Sequence, residues 1–513
     1  MKKNLIGIVV IIVATFVSGV SHAQWKMSKN NYKINNSAAK DALCKKYIKF
    51  RPVMGGNFNP LFYHIEPAKT LANYRNSCSK SLVNCSAGWN AAGGKPTAGV
   101  KEFMKDSLEV VKWSGFWQFK FQIVDPHVGP RAMFGSILYD VPNAADLIAN
   151  SISTNTRFQN IWGGPKNTGH VRKPGMLPYL ALYYLGAKDK VDMMIDNLSV
   201  GGHHQFHFLT FAHFWNLTDA QKKKIEGTCI KILAKSKQNQ MQARACMRYL
   251  AHTGTNNSDV IQYMMMNAGG GSGHLAEDAV RALGILKVKK ARSQLKSILK
   301  SGTVKRTKRI RKRRRYRSKK MTTYTGNDSI VSAAIALASM GDSDGKKAIQ
   351  YWLSMESNGP MDTRGFEVFL WEATLASRAM KKKLAKQINK AARKLKKHSG
   401  STNEELYRSA NVALLQMGDK AGLKKVLQVL GGHDQKAIEE TLKQLGGMLT
   451  PLSYRRRGAQ RIPVGKEGIS VSAAKKLRKL IKSRIRFWSD NSVKRYATVV
   501  ILELTGAINA AKK

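Results

Sequence analysis

The sequence predicts a mostly α-helical fold made of recurring helix pairs, and three observations lead there. Apolar and Ala positions repeat at three and four residues, as in Ala279, Ala282, Leu283 and Leu286, or Ile330, Ala333, Ala334 and Leu337; this is the period of one helical face. A Gly or a short polar turn closes each such segment, as a helix stop requires. The same unit of helix, turn and second helix then recurs from about Pro174 to the C-terminus.

Taken in order, the clearest unit is Leu275 to Gly284 followed by Val288 to Lys300. Ser329 to Gly341 pairs with Lys346 to Leu353, Glu404 to Gly418 with Lys420 to Leu430, and Asp434 to Gly446 with Val471 to Arg486; Asn491 to Gly506 closes the series. The closing glycines are expected in left-handed C-cap conformations. Pro360 to Lys397 reads as a longer pair, and residues 302–327 and 447–470 read as basic insertions.

These units resemble HEAT repeats of the short bacterial type, on the pattern of Glu277 to Gly284, Asp328 to Gly341 and Asp490 to Gly506. The resemblance covers about 174–513 and implies an α-solenoid, in which stacked helix pairs present one helix set on a concave surface and the other on a convex one. It says little about activity. Residues 24–173 are rich in Gly, Asn, Trp and Phe and show no repeat; they read as an irregular N-terminal cap or small domain, with one strand at Trp117 to Ile123.

Residues 1–23 read as a secretory signal peptide: Lys2 and Lys3, an apolar run from Leu5 to Val17, and small residues at Ser21 and Ala23. That run is shorter than the ~20 apolar residues that span a bilayer, which disfavours a membrane anchor. A bacterial periplasmic or secreted location is therefore expected, with no transmembrane segment after cleavage. Five cysteines leave at least one without an intramolecular partner. Cys78 and Cys85 are close enough to close a small loop, and Cys229 and Cys246 flank a helix turn near Gln238, so both pairs are disulfide candidates. Cys229 and Cys246 read equally well as small buried hydrophobes. Cys44 is the odd one.

The chain carries 87 Lys plus Arg against 32 Asp plus Glu, a net charge of +55. Sorted by helix, the six first helices hold 8 basic and 12 acidic residues, and the five second helices 26 basic and 1 acidic. On the solenoid reading the second helices line the concave face, so a basic groove is expected there. Its members include Lys382, Lys386, Lys390 and Lys394, and Lys475, Lys479, Lys482 and Arg486, set around apolar stripes such as Leu384, Ile388, Ala391 and Leu395. Lys305 to Lys320 has 12 basic residues in 16 and reads as a disordered or ligand-ordered loop. In it Arg309, Arg311, Lys312, Arg313, Arg314, Arg315 and Arg317 offer bidentate contacts to phosphate, sulfate or carboxylate, and Tyr316 a stacking ring. Arg455, Arg456 and Arg457 form a second cluster in the other insertion.

Catalytic patterns are scarce. The sequence has no His-Glu-x-x-His, Gly-x-Ser-x-Gly, Walker or Rossmann motif, and no Cys-x-x-Cys. His203 and His207 stand four apart in GGHHQFHF, a spacing that can serve one metal, but among so many phenylalanines packed histidines are the plainer reading. The expectation is a non-enzymatic, cofactor-free binding protein whose partner is an extended polyanion: nucleic acid, lipopolysaccharide or an acidic polysaccharide. The alternatives are an envelope scaffold for an acidic protein, then a metal-dependent enzyme using the His203 segment. Peripheral contact of the basic helices with an anionic membrane surface is a further option.

Overall fold

A computed structural model describes residues 136–137, 141–153, 176–196, 198, 209, 211–235, 240–269, 273–312, 315–354, 363–397, 400–445 and 462–512 of the chain. The segment read as a signal peptide, the strand expected at Trp117 to Ile123, and Cys44, Cys78, Cys85, His203, His207 and Arg455 to Arg457 lie outside them. The chain divides into two compact units, Met1–Leu185 and Gly186–Lys513. Two helices are described in the first, α1 (Ala144–Ser153) and α2 (Met176–Leu185), packed on each other.

Among the described residues the second unit is mostly helical, with one hairpin and an isolated bridge between Val464 and Ile469. Its elements are α3 (Val191–Asp196), α4 (Asp219–Leu233), α5 (Gln240–Thr253), α6 (Ser258–Gly269), α7 (His274–Leu286) and α8 (Arg292–Ser301). The strands β1 (Thr303–Lys312) and β2 (Arg315–Tyr324) follow, then α9 (Asp328–Ser339), α10 (Ser343–Ser354), α11 (Thr363–Thr374) and α12 (Arg378–Lys397). The chain closes with α13 (Ser401–Gln416), α14 (Lys420–Leu430), α15 (Gln435–Leu445), α16 (Val471–Arg484) and α17 (Asn491–Ala511). No described helix is long and apolar enough to cross a membrane.

Local chemistry sets several helix starts. Thr218 and Gln221 form a capping box at α4, each side chain accepting from the other's backbone N–H at 3.2 Å. Asp419 caps α14 through the amides of Ala421 and Gly422, and Ser470 caps α16 through that of Ala473. The helix ends follow the expectation only in part. Gly341 and Gly418 do take positive φ, 86° and 80°. Gly284 and Gly506 instead lie inside α7 and α17, and Lys287 makes the left-handed cap of α7. Gly284 serves packing: a Cβ there would collide with Ala336 of α9, so its absence lets the two helices approach closely.

Helices α5, α7, α9, α11, α13, α15 and α17 each pack on the next. Their faces supply most of the core, with Leu250, Leu283, Leu337, Phe369, Leu414, Leu442 and Leu502 all buried. A charged chain runs through this core. Arg244 and Arg248 of α5 donate to Asp278 of α7 at 2.6 and 2.8 Å, and Arg281 also bonds Asp278. Arg281 then forks onto Glu372 of α11 at 2.8 and 2.7 Å, where Ser332 of α9 donates as well at 2.8 Å. Burial alone would push the Asp278 carboxyl up, but Arg248, Arg281 and Arg244 more than offset it and hold it well below the usual range. Another buried carboxylate, Asp342, accepts from Arg292 and pairs with Lys296; these contacts outweigh its burial and lower it to about 2.

Between α4 and α5, Cys229 and Cys246 form a disulfide with Cα atoms 5.1 Å apart. The segment from Lys305 to Lys320 corrects the expectation of a disordered loop, because it belongs to the antiparallel pair β1–β2, in register from Thr303 opposite Tyr324 to Lys312 opposite Arg315. The composition argument weighed charge and overlooked the β-branched and aromatic residues that punctuate the run: Thr303, Val304, Thr307, Ile310, Tyr316, Thr322 and Tyr324. The base is also tied down. Thr325 N–H donates to the Gly302 carbonyl at 2.9 Å, and the buried Tyr324 ring meets Tyr351 and Trp352 edge-on at 5.6 and 6.1 Å.

Three outcomes are expected. Arg281→Met removes the guanidinium paired with the buried Glu372, while Asp278 keeps Arg244 and Arg248, and should cost about 3–5 kcal/mol in urea unfolding, as breaking a buried pair does. Acid should act through Asp278 and Asp342, whose depressed values stabilise the fold fully above about pH 4 and progressively less as pH falls towards 2; melting curves from pH 5 to 2 should be flatter for Asp342→Asn. Reduction should cost about 3 kcal/mol, given a loop of 17 residues, and the Cys229→Ala, Cys246→Ala double variant should lack that increment.

Candidate functional site

The basic residues singled out from sequence fall on three structures. Arg309, Arg311, Lys312, Arg315, Tyr316 and Arg317 belong to the hairpin strands, while Arg313 and Arg314, between them, lie outside the described residues. Lys382, Lys386, Lys390 and Lys394 are exposed on α12, opposite the buried stripe of Leu384, Ile388, Ala391 and Leu395. Lys475, Lys479 and Lys482 are exposed on α16, and Arg486 on the 3-10 turn that follows it. β2 rests on α10, which also touches α12; α16 packs on α14. Thus the hairpin and α12 share a neighbour.

The hairpin's register has an energetic consequence. Neither strand contains an acidic residue, and Lys308 stands opposite Lys319 as Lys312 does opposite Arg315. Like charges directly opposite one another destabilise an antiparallel pair, and a lone two-stranded ribbon is marginal in water to begin with.

A second site was not visible as a motif. Four segments far apart in sequence converge: His213 in the 3-10 turn Ala212–Phe214, His252 in the last turn of α5, Lys381 in the first turn of α12, and Glu467 in the turn 465–468. That last turn is held by an isolated bridge between Val464 and Ile469, with Gly465 N–H donating to Ile469 at 3.0 Å and Ile469 N–H to Pro463 at 2.8 Å. Gly465 has φ 137°, and a side chain there would strike the Phe214 carbonyl, so only Gly lets this turn close onto the His213 segment.

Within the cluster the two imidazoles stack nearly parallel, centroids 3.8 Å apart at 7°. His252 Nδ1 lies 3.5 Å from Glu467 Oε2, an electrostatic contact more than a hydrogen bond. Both ring nitrogens of His213 are buried without a hydrogen-bond partner. Lys381 donates to the Glu467 backbone carbonyl at 3.1 Å and stands 5.0 Å over the Phe214 ring. Burial, with the nearby His252 and Lys381, holds His213 well below its ordinary value, so it is neutral near pH 7. Burial lowers His252 too, with Glu467 opposing, and pushes Lys381 down to about 8. Burial raises Glu467, but His252 and Lys381 outweigh it and keep it ionised. His252 and Glu467 line one end of a groove of ~1260 Å³ that runs past Thr255, Met265, Gln294 and Arg378.

Sequence reasoning assigned none of these four residues to a site. One signal existed: Lys381 precedes Leu384 and Ala385 by three and four residues, which places it on the buried stripe of α12, where a lysine is out of place. No protein-family model matches the chain, and no curated protein matches it in sequence.

Lys381 yields a prediction with a definite sign. Its lowered value means the unfolded chain binds more protons between about pH 8 and the ordinary 10.5, so wild-type stability should rise across that window. In paired alkaline melting curves Lys381→Met should lack this part of the rise.

Proposed function

We propose that the second unit is an α-solenoid of HEAT-like helix pairs that binds an extended polyanion, with the β1–β2 hairpin as its clamp and the lysines of α12 and α16 along its path. The observation that carries this reading is the hairpin itself: two strands of ten residues, no acid in either, and like charges set opposite each other. Such an element costs stability unless phosphate, sulfate or carboxylate groups neutralise it. The solenoid reading draws on the successive packing of α5 through α17 by alternate helices. Export is part of the proposal, supported by the N-terminal sequence and by a disulfide that suits an oxidising compartment.

The mechanism is release of counterions plus charge-assisted hydrogen bonds, with Arg forks favoured for oxyanions. Binding to duplex DNA, heparin and lipopolysaccharide, each followed at roughly 50 and 200 mM salt, ranks the polyanion classes; for a duplex, affinity should drop about a thousandfold or more if six or more phosphates are engaged. Salt-independent binding, or none to any of the three, would sink the reading. Replacing residues 306–321 by Asn-Gly should weaken binding while changing unfolding free energy by no more than about 0.5 kcal/mol, because the tied base from Thr303 to Lys305 and Thr322 to Tyr324 is retained. Reversing Lys382, Lys386 and Lys390 to Glu should weaken binding further and leave the helix content of the circular dichroism spectrum intact.

A further inference from the structure

We infer that His213, His252 and Glu467 form a binding site for a divalent transition metal of the zinc class. Each offers one ligand atom, and the three atoms lie within 4.8 Å of one another, close enough for a single ion to be reached by modest side-chain rotation. Two imidazole nitrogens with one carboxylate oxygen is a donor set that suits zinc and its neighbours in the transition series, and not calcium or magnesium, which take oxygen ligands.

Two features beyond proximity point to a ligand. Both ring nitrogens of the part-buried His213 are buried and without a hydrogen bond, and Glu467 Oε2 is buried without one as well. Buried polar atoms are nearly always satisfied, and leaving them bare costs free energy that a coordinated cation would recover. Access is the other feature. His252 and Glu467 face the groove described above, so an ion can arrive through it and keep positions open to water or a ligand on that side. The rings stand parallel, and a cation in the plane of one is out of the plane of the other. Rotation of the His213 ring about Cβ–Cγ resolves this, because that torsion is broad for histidine and no hydrogen bond is lost.

Lys381 makes the inference specific. Its ammonium donates to the Glu467 carbonyl beside the cluster and repels an incoming cation, so it weakens the site without being part of it. Removing that charge should therefore tighten metal binding, an outcome that a merely structural His-His-Glu contact does not produce.

The test uses the full chain, stripped with chelator and titrated with Zn²⁺ by calorimetry and with Co²⁺ by visible absorption. The expected result is one Co²⁺ site whose ligand-field bands persist in the His203→Ala, His207→Ala variant. The bands should vanish in His213→Ala and His252→Ala. Glu467→Gln should lower affinity by at least about tenfold, and Lys381→Met should raise it severalfold. Should either alanine variant fail to fold, as judged by circular dichroism, the opposite shifts of Glu467→Gln and Lys381→Met still decide the matter. Bands that survive in folded His213→Ala and His252→Ala, affinity unmoved by Glu467→Gln, or no Co²⁺ bands in the wild-type chain would overturn the inference.

Discussion

Three guanidiniums and two carboxylates buried among neighbouring helices, Arg244, Arg248 and Arg281 against Asp278 and Glu372, constrain how the second unit assembles. Each group is costly inside the protein and tolerable only when its partners arrive in register. The network ties α5 to α7 and α7 to α11, and Ser332 brings in α9. Displacing α11 from α7 would separate Glu372 from Arg281. The glycine at 284 acts in the same direction, letting α7 and α9 approach to the distance at which the polar groups meet.

This arrangement also explains where the chain's surplus charge ends up. Some carboxylates of the first helices are neutralised by partners on neighbouring elements: Asp278 and Glu372 in the buried network, and the half-buried Glu440 by Arg408 across α13 and α15. The second helices carry many lysines and almost no acids of their own, so their charge faces outward with little to balance it nearby. The same separation extends to the hairpin. The proposed polyanion-binding role draws on this division between paired core carboxylates and exposed lysines.

The His213 cluster depends on the fold in a different way. It sits where a helix end, a helix start and two irregular segments meet, and the Gly465 turn is what closes one of those segments onto another. Helical periodicity governs which residues share one face of one helix; it has no bearing on residues 213, 252, 381 and 467, whose separations obey no period. Lys381 alone left a trace, as a charge on an apolar stripe. The paired cysteines were easier to anticipate, because a hairpin of two helices brings residues equidistant from its turn together, and Cys229 and Cys246 are indeed bridged.

The helices themselves were legible from about Leu275 onward: spacings of three and four placed most of them to within a few residues, because burial of one face is a local, periodic demand. The basic run at 305–320 was misread, since charge density argues for disorder while the ladder and the Tyr324 anchor that oppose it are pairwise contacts. Gly284 was misread likewise, its role being fixed by Ala336 on another helix. By itself the sequence determined most helices from about Leu275 onward and the segregation of charge by helix, both properties of residues near one another in the chain. The tertiary structure alone decided which carboxylates are neutralised, whether the basic run forms a ribbon, and that two histidines, a lysine and a glutamate meet beside a groove, because each of these depends on contacts between residues tens to hundreds of positions apart.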